Sequence, residues 1–341
     1  MLDKKNLFEL TKIVANANPS SQIAYSFGED KFTYSELNDT LRDELNKLAG
    51  NYQLFRENKN TIFTLIENTI DDVLPKKVME QYSMFADVKV FAQGDKPIFT
   101  QKITQAAKKR AKQFITKVGL AGVYEVFKLD GRSYEIPVTA MGGAAQIGFE
   151  EFLDGRVDFA DLTDIVMEGL DEAIYKEIEK ALRGAVTGLQ AANKVTETSF
   201  VESKMDDLLS KADSYGGRAS IYCTYEFAAT MIPQKDWASN EHKNALWEKG
   251  YIANYKGHNV IILDQSYEDE TNAKKVIDPA YAYIMATGTE KPVKIAMEGQ
   301  TAVREVENQD WSREIQVYKK MGVGAVITNN VCVYINNSLH Q

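Results

Sequence analysis

The feature that most constrains this chain is a long apolar stripe. From Asp158 to about Val186 the hydrophobic positions are Phe159, Leu162, Ile165, Val166, Leu170, Ile174, Ile178, Leu182 and Val186. Gaps of one, three and four residues place them along one side of an α-helix. Asp158 and Asp161 stand at its start and Lys180 and Arg183 near its end, the order that suits the helix macrodipole. Gly184 and Gly188 read as its stop. At 1.5 Å per residue such a helix spans about 40 Å, more than a compact domain usually needs. The rest of the fold must supply a partner along that length.

Upstream, Thr33, Tyr34, Ser35 and Glu36 open a short helix with Ser35 as its N-cap, and Leu37, Leu41, Leu45 and Leu48 recur at helical spacing. Polar, Asn-rich stretches flank it, so residues 1–60 read as an arm. Its apolar face needs a partner, either elsewhere or on the chain's own domain. Thr61–Pro75 repeats the pattern with Ile62, Leu65, Ile66, Ile70, Val73 and Leu74, and Pro75 is expected to stop that helix. Strand-like runs follow at Val88–Phe91 and Ile98–Ile103. Val123–Leu129 and Arg132–Val138 then flank Asp130-Gly131, a pair suited to the type I′ turn of a two-residue hairpin. That turn sets Phe127 opposite Tyr134 and Val123 opposite Val138. Ala140–Gly148 is small and flexible in composition.

Beyond the stripe, Glu202–Ala212 reads as a helix, Ala219–Cys223 as a strand and Tyr225–Met231 as a helix. A further helical stretch, Asn240–Lys249, ends at Gly250. Tyr251–Tyr255, Lys256-Gly257 and Asn259–Leu263 read as strand, turn and buried strand, and Tyr281–Ala286 and Val293–Ala296 add two more strands. Arg313–Lys319 alternates, and Val323–Ile335 is rich in Val, Ile and Ala. Helices and strands do not alternate regularly enough for a doubly wound sheet, which leaves an α+β fold.

A chain of 341 residues has room for two or three packed units. Its net charge of -9 gives no support for general affinity toward nucleic-acid phosphates. The amino-terminal stretch has no apolar core long enough for a secretory signal, and no run of about 18 apolar residues occurs, so no membrane span is expected. Cys223 and Cys332 lie far apart without metal-ligand spacing, which fits a reducing cytosol. His242, His258 and His340 are isolated, a poor basis for a metal site or a serine–histidine triad. No phosphate-binding loop, GxSxG elbow or HExxH motif occurs. Neighbouring acids such as Asp71-Asp72, Glu150-Glu151 and Asp206-Asp207 point apart on regular elements and read as surface charge. The run Glu268–Glu270 could take a cation, but no glycine-spaced oxygen pattern accompanies it. Lys102–Lys117 holds Lys102, Lys108, Lys109, Arg110, Lys112 and Lys117 and no acid. It is either a solvated face or a surface for nucleic acid or a neighbour's acidic patch. No catalytic, cofactor-binding or metal residue is assigned.

The run Gly148-Phe149-Glu150-Glu151-Phe152-Leu153-Asp154-Gly155, then Val157-Asp158-Phe159 and the long helix through Ala173-Ile174-Tyr175 and Ala181-Leu182, resembles the major capsid proteins of tailed bacteriophages, with the Hong Kong 97-type fold. Ser220-Ile221-Tyr222-Cys223 and Gly250-Tyr251 through Val260-Ile261-Ile262 look like that family's axial domain, and Lys319-Lys320-Met321-Gly322-Val323-Gly324 like its return strands. The resemblance implies an N-terminal arm at 1–60, a joining helix at 61–85, an E-loop region at 86–146 and a peripheral domain at 147–214 with its spine at 157–186. An axial domain at 215–300 and peripheral return strands at 301–341 complete it.

By resemblance the chain is a structural protein and not an enzyme, and needs no cofactor or metal. It is expected to self-assemble, as pentamers and hexamers, into an icosahedral or prolate head shell. The shell encloses double-stranded DNA without sequence-specific binding and without a membrane, and forms in the host bacterial cytoplasm before serving in the virion. Portal, head maturation protease or decoration proteins are the implied partners. Some relatives carry a domain-sized amino-terminal scaffolding segment; about 85 residues precede the hairpin region here, so a separate scaffolding protein is expected. Some relatives cross-link a lysine to an asparagine beside a glutamate. Asn329, Asn330, Asn336 and Asn337 are present, but no glutamate follows Glu314, so that chemistry is not carried over. An encapsulin-like protein compartment and a soluble α+β enzyme with an unrecognised site are the alternatives.

Overall fold

In a computed structural model the described residues are 3–17, 24–28, 30–50, 52–101, 132–146, 159–214, 217–231, 249–268, 271–286, 291–307, 313–326 and 331–340. The apolar stripe forms one helix among six: α1 (Lys4–Asn16), α2 (Tyr34–Ala49), α3 (Tyr52–Tyr82), α4 (Phe159–Thr187), α5 (Glu202–Asp213) and α6 (Tyr225–Thr230). Along α4 the buried positions are Met167, Leu170, Ile174, Ile178, Leu182 and Val186. Ile165, expected on this face, is 61% exposed, and Met167 takes the inward place two residues on. The helix runs through Gly184 and ends at Thr187, where the Gly188 N–H bonds back to the Ala185 carbonyl. The side chains of Phe159 and Leu162 lie outside the described residues.

α2 begins one turn earlier than Ser35 suggested. Thr33 is the cap: its hydroxyl accepts the Glu36 N–H at 3.4 Å and the Glu36 carboxylate accepts the Thr33 N–H at 2.8 Å. This reciprocal pair satisfies two donors that a helix start otherwise leaves open, and Ser35 has no such partner three residues on. Leu37, Leu41, Leu45 and Leu48 share one core with Leu7, Leu10 and Val14 of α1 and with α3 and α4. The apolar face of the amino-terminal helix is therefore covered within the chain.

α3 does not stop at Pro75, which lies inside it. Proline forfeits a helical hydrogen bond and crowds the preceding turn. Here Leu74, Val78 and Tyr82 are all buried on the same side, and that packing holds the helix together across the proline.

Two larger sheets carry the helices. The four-stranded sheet has the order β3 (Ala86–Phe91), β12 (Val293–Glu307), β13 (Arg313–Ala325), β6 (Thr139–Gln146). β3 runs parallel to β12, and the other pairs are antiparallel. Val293–Ala296, expected as a short strand, is only the start of β12, which continues past a bulge between Glu298 and Ala302. The small, Gly-rich stretch expected to be flexible is β6, whose Gly142 lies against Val317 and Tyr318 too closely for a β-carbon.

The six-stranded sheet has the order β7 (Lys194–Glu197), β14 (Val331–Asn336), β11 (Tyr281–Ala286), β8 (Ala219–Cys223), β10 (His258–Ile262), β9 (Asn254–Tyr255). Lys256 and Gly257, at φ 48° and 86°, turn β9 into β10. That is the left-handed pair a type I′ hairpin needs. β14 was expected to return with β13 to one sheet; instead it lies between β7 and β11 in the other. Two small pairs remain, β1 (Tyr25–Phe27) with β2 (Asp30–Phe32), and β4 (Ile98–Gln101) with β5 (Arg132–Glu135). In the latter Tyr134 stands opposite Phe99. The Asp130-Gly131 turn, Phe127 and Val123 lie outside the described residues, as do Lys102–Lys117, Gly148–Gly155 and all of Asn240–Lys249 but its last residue.

Alternation decides which face of the four-stranded sheet meets what. Val293, Ile295 and Met297 of β12 and Val317 and Met321 of β13 join the core of α3 and α4. Ala296 faces the other way and packs with Phe99 and Ile136. The order of layers is helices, sheet, then the β4–β5 pair.

Candidate functional site

The β4–β5 pair is the root from which residues 102–131 leave the sheet, and the sequence prepares its seat. Gly322 and Gly324 alternate along β13 on the outer face, where a β-carbon would overlap the Pro137 carbonyl or the Ile136 side chain. Phe99 packs edge-on against Phe91 at 5.8 Å between centroids, with the Lys89 ammonium 4.8 Å from its ring centre. These contacts hold the root apolar side down while its polar edge stays wet.

The helical layer is fixed to the opposite face by polar groups. Lys319 of β13 is buried, 1% exposed, and its ammonium meets the Asp71 carboxylate of α3. The same carboxylate accepts the Thr301 hydroxyl at 2.6 Å and the Thr301 N–H at 3.0 Å. One turn earlier, Glu67 accepts the Val303 N–H at 2.8 Å. Two carboxylates one helical turn apart thus bind the strand just beyond its bulge. Asp72 points elsewhere, as adjacent helical residues must. Burial pushes its carboxyl up, but hydrogen bonds from Lys12 and Lys76 outweigh that and hold it below the usual range.

A cleft of about 440 Å³ opens where the end of α3, the middle of α4 and the chain leaving β10 meet. Tyr82 and Tyr175 stack in it at 6.1 Å, and the Tyr82 hydroxyl donates to Asp171 at 3.3 Å. The Tyr175 hydroxyl donates to the Asp264 carbonyl, tying α4 to the six-stranded sheet. Burial raises the Asp171 carboxyl above its usual range, with the bond from Tyr82 pulling the other way. Glu168, Glu172 and Asp264 add further carboxylates, and Met84, 54% exposed, lies among the lining residues. Farther along α4, Arg183 meets Asp278 at 2.6 Å, and Asp278 also meets His340 at 2.9 Å.

The residues singled out in the sequence do not converge on a catalytic centre. Asp206 pairs with Lys256 at 2.5 Å, and Glu268 pairs with Lys274, so the acid of the loop run that is described already has a cation. Asn336 is buried and accepts from Ser338. Cys223 and Cys332 are unpaired and buried, and burial pushes the Cys332 thiol up to about 11. Among the described residues no group of three or more His, Cys, Asp and Glu is placed to hold a metal. No helix among them is long and apolar enough to cross a membrane. Lys319 and the cleft were missed in sequence: a lysine in an alternating strand and acids four apart on a helix both look like surface.

The sequence profile of the family described as "SPbeta prophage-derived putative capsid protein YonB" matches residues 6–336. The chain belongs to the YonB capsid family. Its role is structural, as the resemblance implied, and not enzymatic. Solved structures similar to this YonB-family chain include the capsid of cyanophage P-SCSP1u, at 8% identity and TM-score 0.49, over 75% of this chain and 86% of that one. Another is a phage-related protein from Bordetella bronchiseptica RB50, at 13% identity and TM-score 0.48, over 77% and 93%. A third is a virus-like particle from Pyrococcus furiosus, at 14% identity and TM-score 0.42, over 76% and 97%. No curated protein matches.

Proposed function

We propose that this chain is the major shell subunit of a tailed-phage head with the Hong Kong 97-type fold. It associates as pentamers and hexamers into an icosahedral or prolate shell around double-stranded DNA, in the cytoplasm of a bacterial host. The observation that carries the reading is the capsid-family match over residues 6–336. In this reading the four-stranded sheet and its helices are the peripheral domain, with α4 as spine. The six-stranded sheet is the axial domain, and β4–β5 is the root of the E-loop.

Large apolar side chains exposed on several elements support a subunit that offers different patches to different neighbours: Met79, Met84, Val90, Ile165, Tyr225 and Tyr318. The net charge of -9 suits a wall that contains duplex without holding it. The reading entails a scaffolding protein, a portal, and a maturation protease or decoration proteins as partners.

The test is negative-stain microscopy with sedimentation velocity on the purified full chain. Closed shells, or pentamers and hexamers, are expected. A homogeneous monomer at every concentration and salt tried would sink the reading, and shells filled with protein cargo in place of DNA would turn it toward a protein compartment.

A further inference from the structure

The fold leaves one charged run of the sequence unaccounted for. Residues 102–117 contain Lys102, Lys108, Lys109, Arg110, Lys112 and Lys117 and no acid. They belong to the segment that starts from β4, whose root sits on the outer face of the four-stranded sheet. The cleft at the α3–α4–β10 junction lies on the helical side and has the opposite sign. Within it Asp171 is engaged by Tyr82, and Glu172 by Lys176 at 2.8 Å. Among the described residues no ion pair engages Glu168 or Asp264. Beside these carboxylates the lining is apolar, with Met84, Phe85 and Ile261.

We propose that this cleft receives the basic segment 102–117 of a second copy of the chain. The proposal rests on the shell reading and names one contact within it. Charge complementarity argues for the occupant, because six cations without an acid meet four carboxylates, two of them without a cation of their own. Composition agrees: Ile103, Phe114 and Ile115 interrupt the cations, and an apolar wall interrupts the carboxylates. Geometry argues for a second copy, since the chain's own segment departs from the far side of the sheet. A basic donor on one copy and an acidic acceptor on the next form a heterologous contact, which propagates until it closes. Exposed charges also make the contact sensitive to salt, because screening acts within about 10 Å at 0.1 M.

The experiment uses two full-length variants and the concentration at which each assembles, read by sedimentation velocity. One carries Glu168→Lys and Asp264→Lys; the other carries Lys108→Glu, Lys109→Glu and Arg110→Glu. Each alone is expected to raise the assembly concentration about tenfold at low salt. An equimolar mixture is expected to recover most of that loss, because opposite charges then meet only between unlike copies. Unchanged assembly of both variants overturns this contact and leaves the shell reading intact. Recovery when all five substitutions share one chain, but not in the mixture, also overturns it, since the contact would then lie within a chain. Failure of the parent chain to assemble overturns both. Should a reversal variant lose its circular-dichroism spectrum, Glu168→Gln with Asp264→Asn replaces it, with a smaller shift in the same direction expected and no shift counting against the proposal.

Discussion

Where α3 meets the four-stranded sheet, charged groups sit in the joint; where α5 and α6 meet the six-stranded sheet, the joint is apolar. Met205, Leu208, Leu209, Phe227 and Ala228 pack directly on Ile221, Cys223, Ile284 and Cys332. The Tyr334 hydroxyl, the polar tip of that cluster, reaches the Ser199 carbonyl at 3.0 Å and the Val201 N–H at 2.8 Å. Apolar packing contributes stability but tolerates small slips, because it is not directional. The Asp71–Lys319–Thr301 set costs desolvation and works at one register only. The comparison teaches a division of labour: one sheet is held mainly by burial, the other is also indexed against its helix.

The largest effect is expected on the apolar side. Phe227→Ala opens a cavity in a fully buried position and should destabilise the unassembled subunit by about 4 kcal/mol. Urea denaturation gives the loss, and thiol labelling locates it. Cys223 and Cys332 should be protected in the parent and labelled far faster in the variant. Rapid labelling of the parent would break the contrast at its root, since a joint that admits reagent is not dry.

Next comes the indexed joint. Asp71→Ala leaves the Lys319 ammonium buried without its carboxylate and should cost about 3 kcal/mol, while the pair Asp71→Ala with Lys319→Met should recover most of that. A double-mutant cycle measures the coupling directly. A cost below about 1 kcal/mol for Asp71→Ala would mean the pair behaves like a surface bridge. In that case the two sheets are held alike.

Elements whose signal is local were legible in the sequence. The α4 stripe, the β8 and β11 runs and the Lys256-Gly257 turn each rest on spacing or backbone preference within a few residues. Pro75 misled because its local cost is set against burial of Leu74, Val78 and Tyr82 on partners far away in sequence. The place of β14 was illegible for a related reason, since an all-buried strand fits either sheet by pattern alone. The cleft shows the same limit for function. The basic run stood out as composition, whereas its acidic counterpart is assembled from α3, α4 and the exit of β10, three segments far apart in sequence.

The smallest effect tests whether the helical side responds as a unit of its own. The Thr33 N–H and hydroxyl hold the Glu36 carboxyl below its usual range. A carboxyl depressed in the folded state stabilises above its unfolded value, about 4.3, and that contribution is lost as pH falls through the lower folded value. The difference in stability between the parent and Glu36→Gln should therefore shrink as pH drops below about 4. Thr33→Ala, which removes the cap oxygen, should cost about 1 kcal/mol at neutral pH. Amide exchange along α2 should rise in both variants, because that helix packs on α1 and α3 and not on the six-stranded sheet. Thiol protection of Cys223 and Cys332 should stay unchanged. If labelling accelerates in step with exchange along α2, the two sides open together and the contrast between them is one of chemistry without independence.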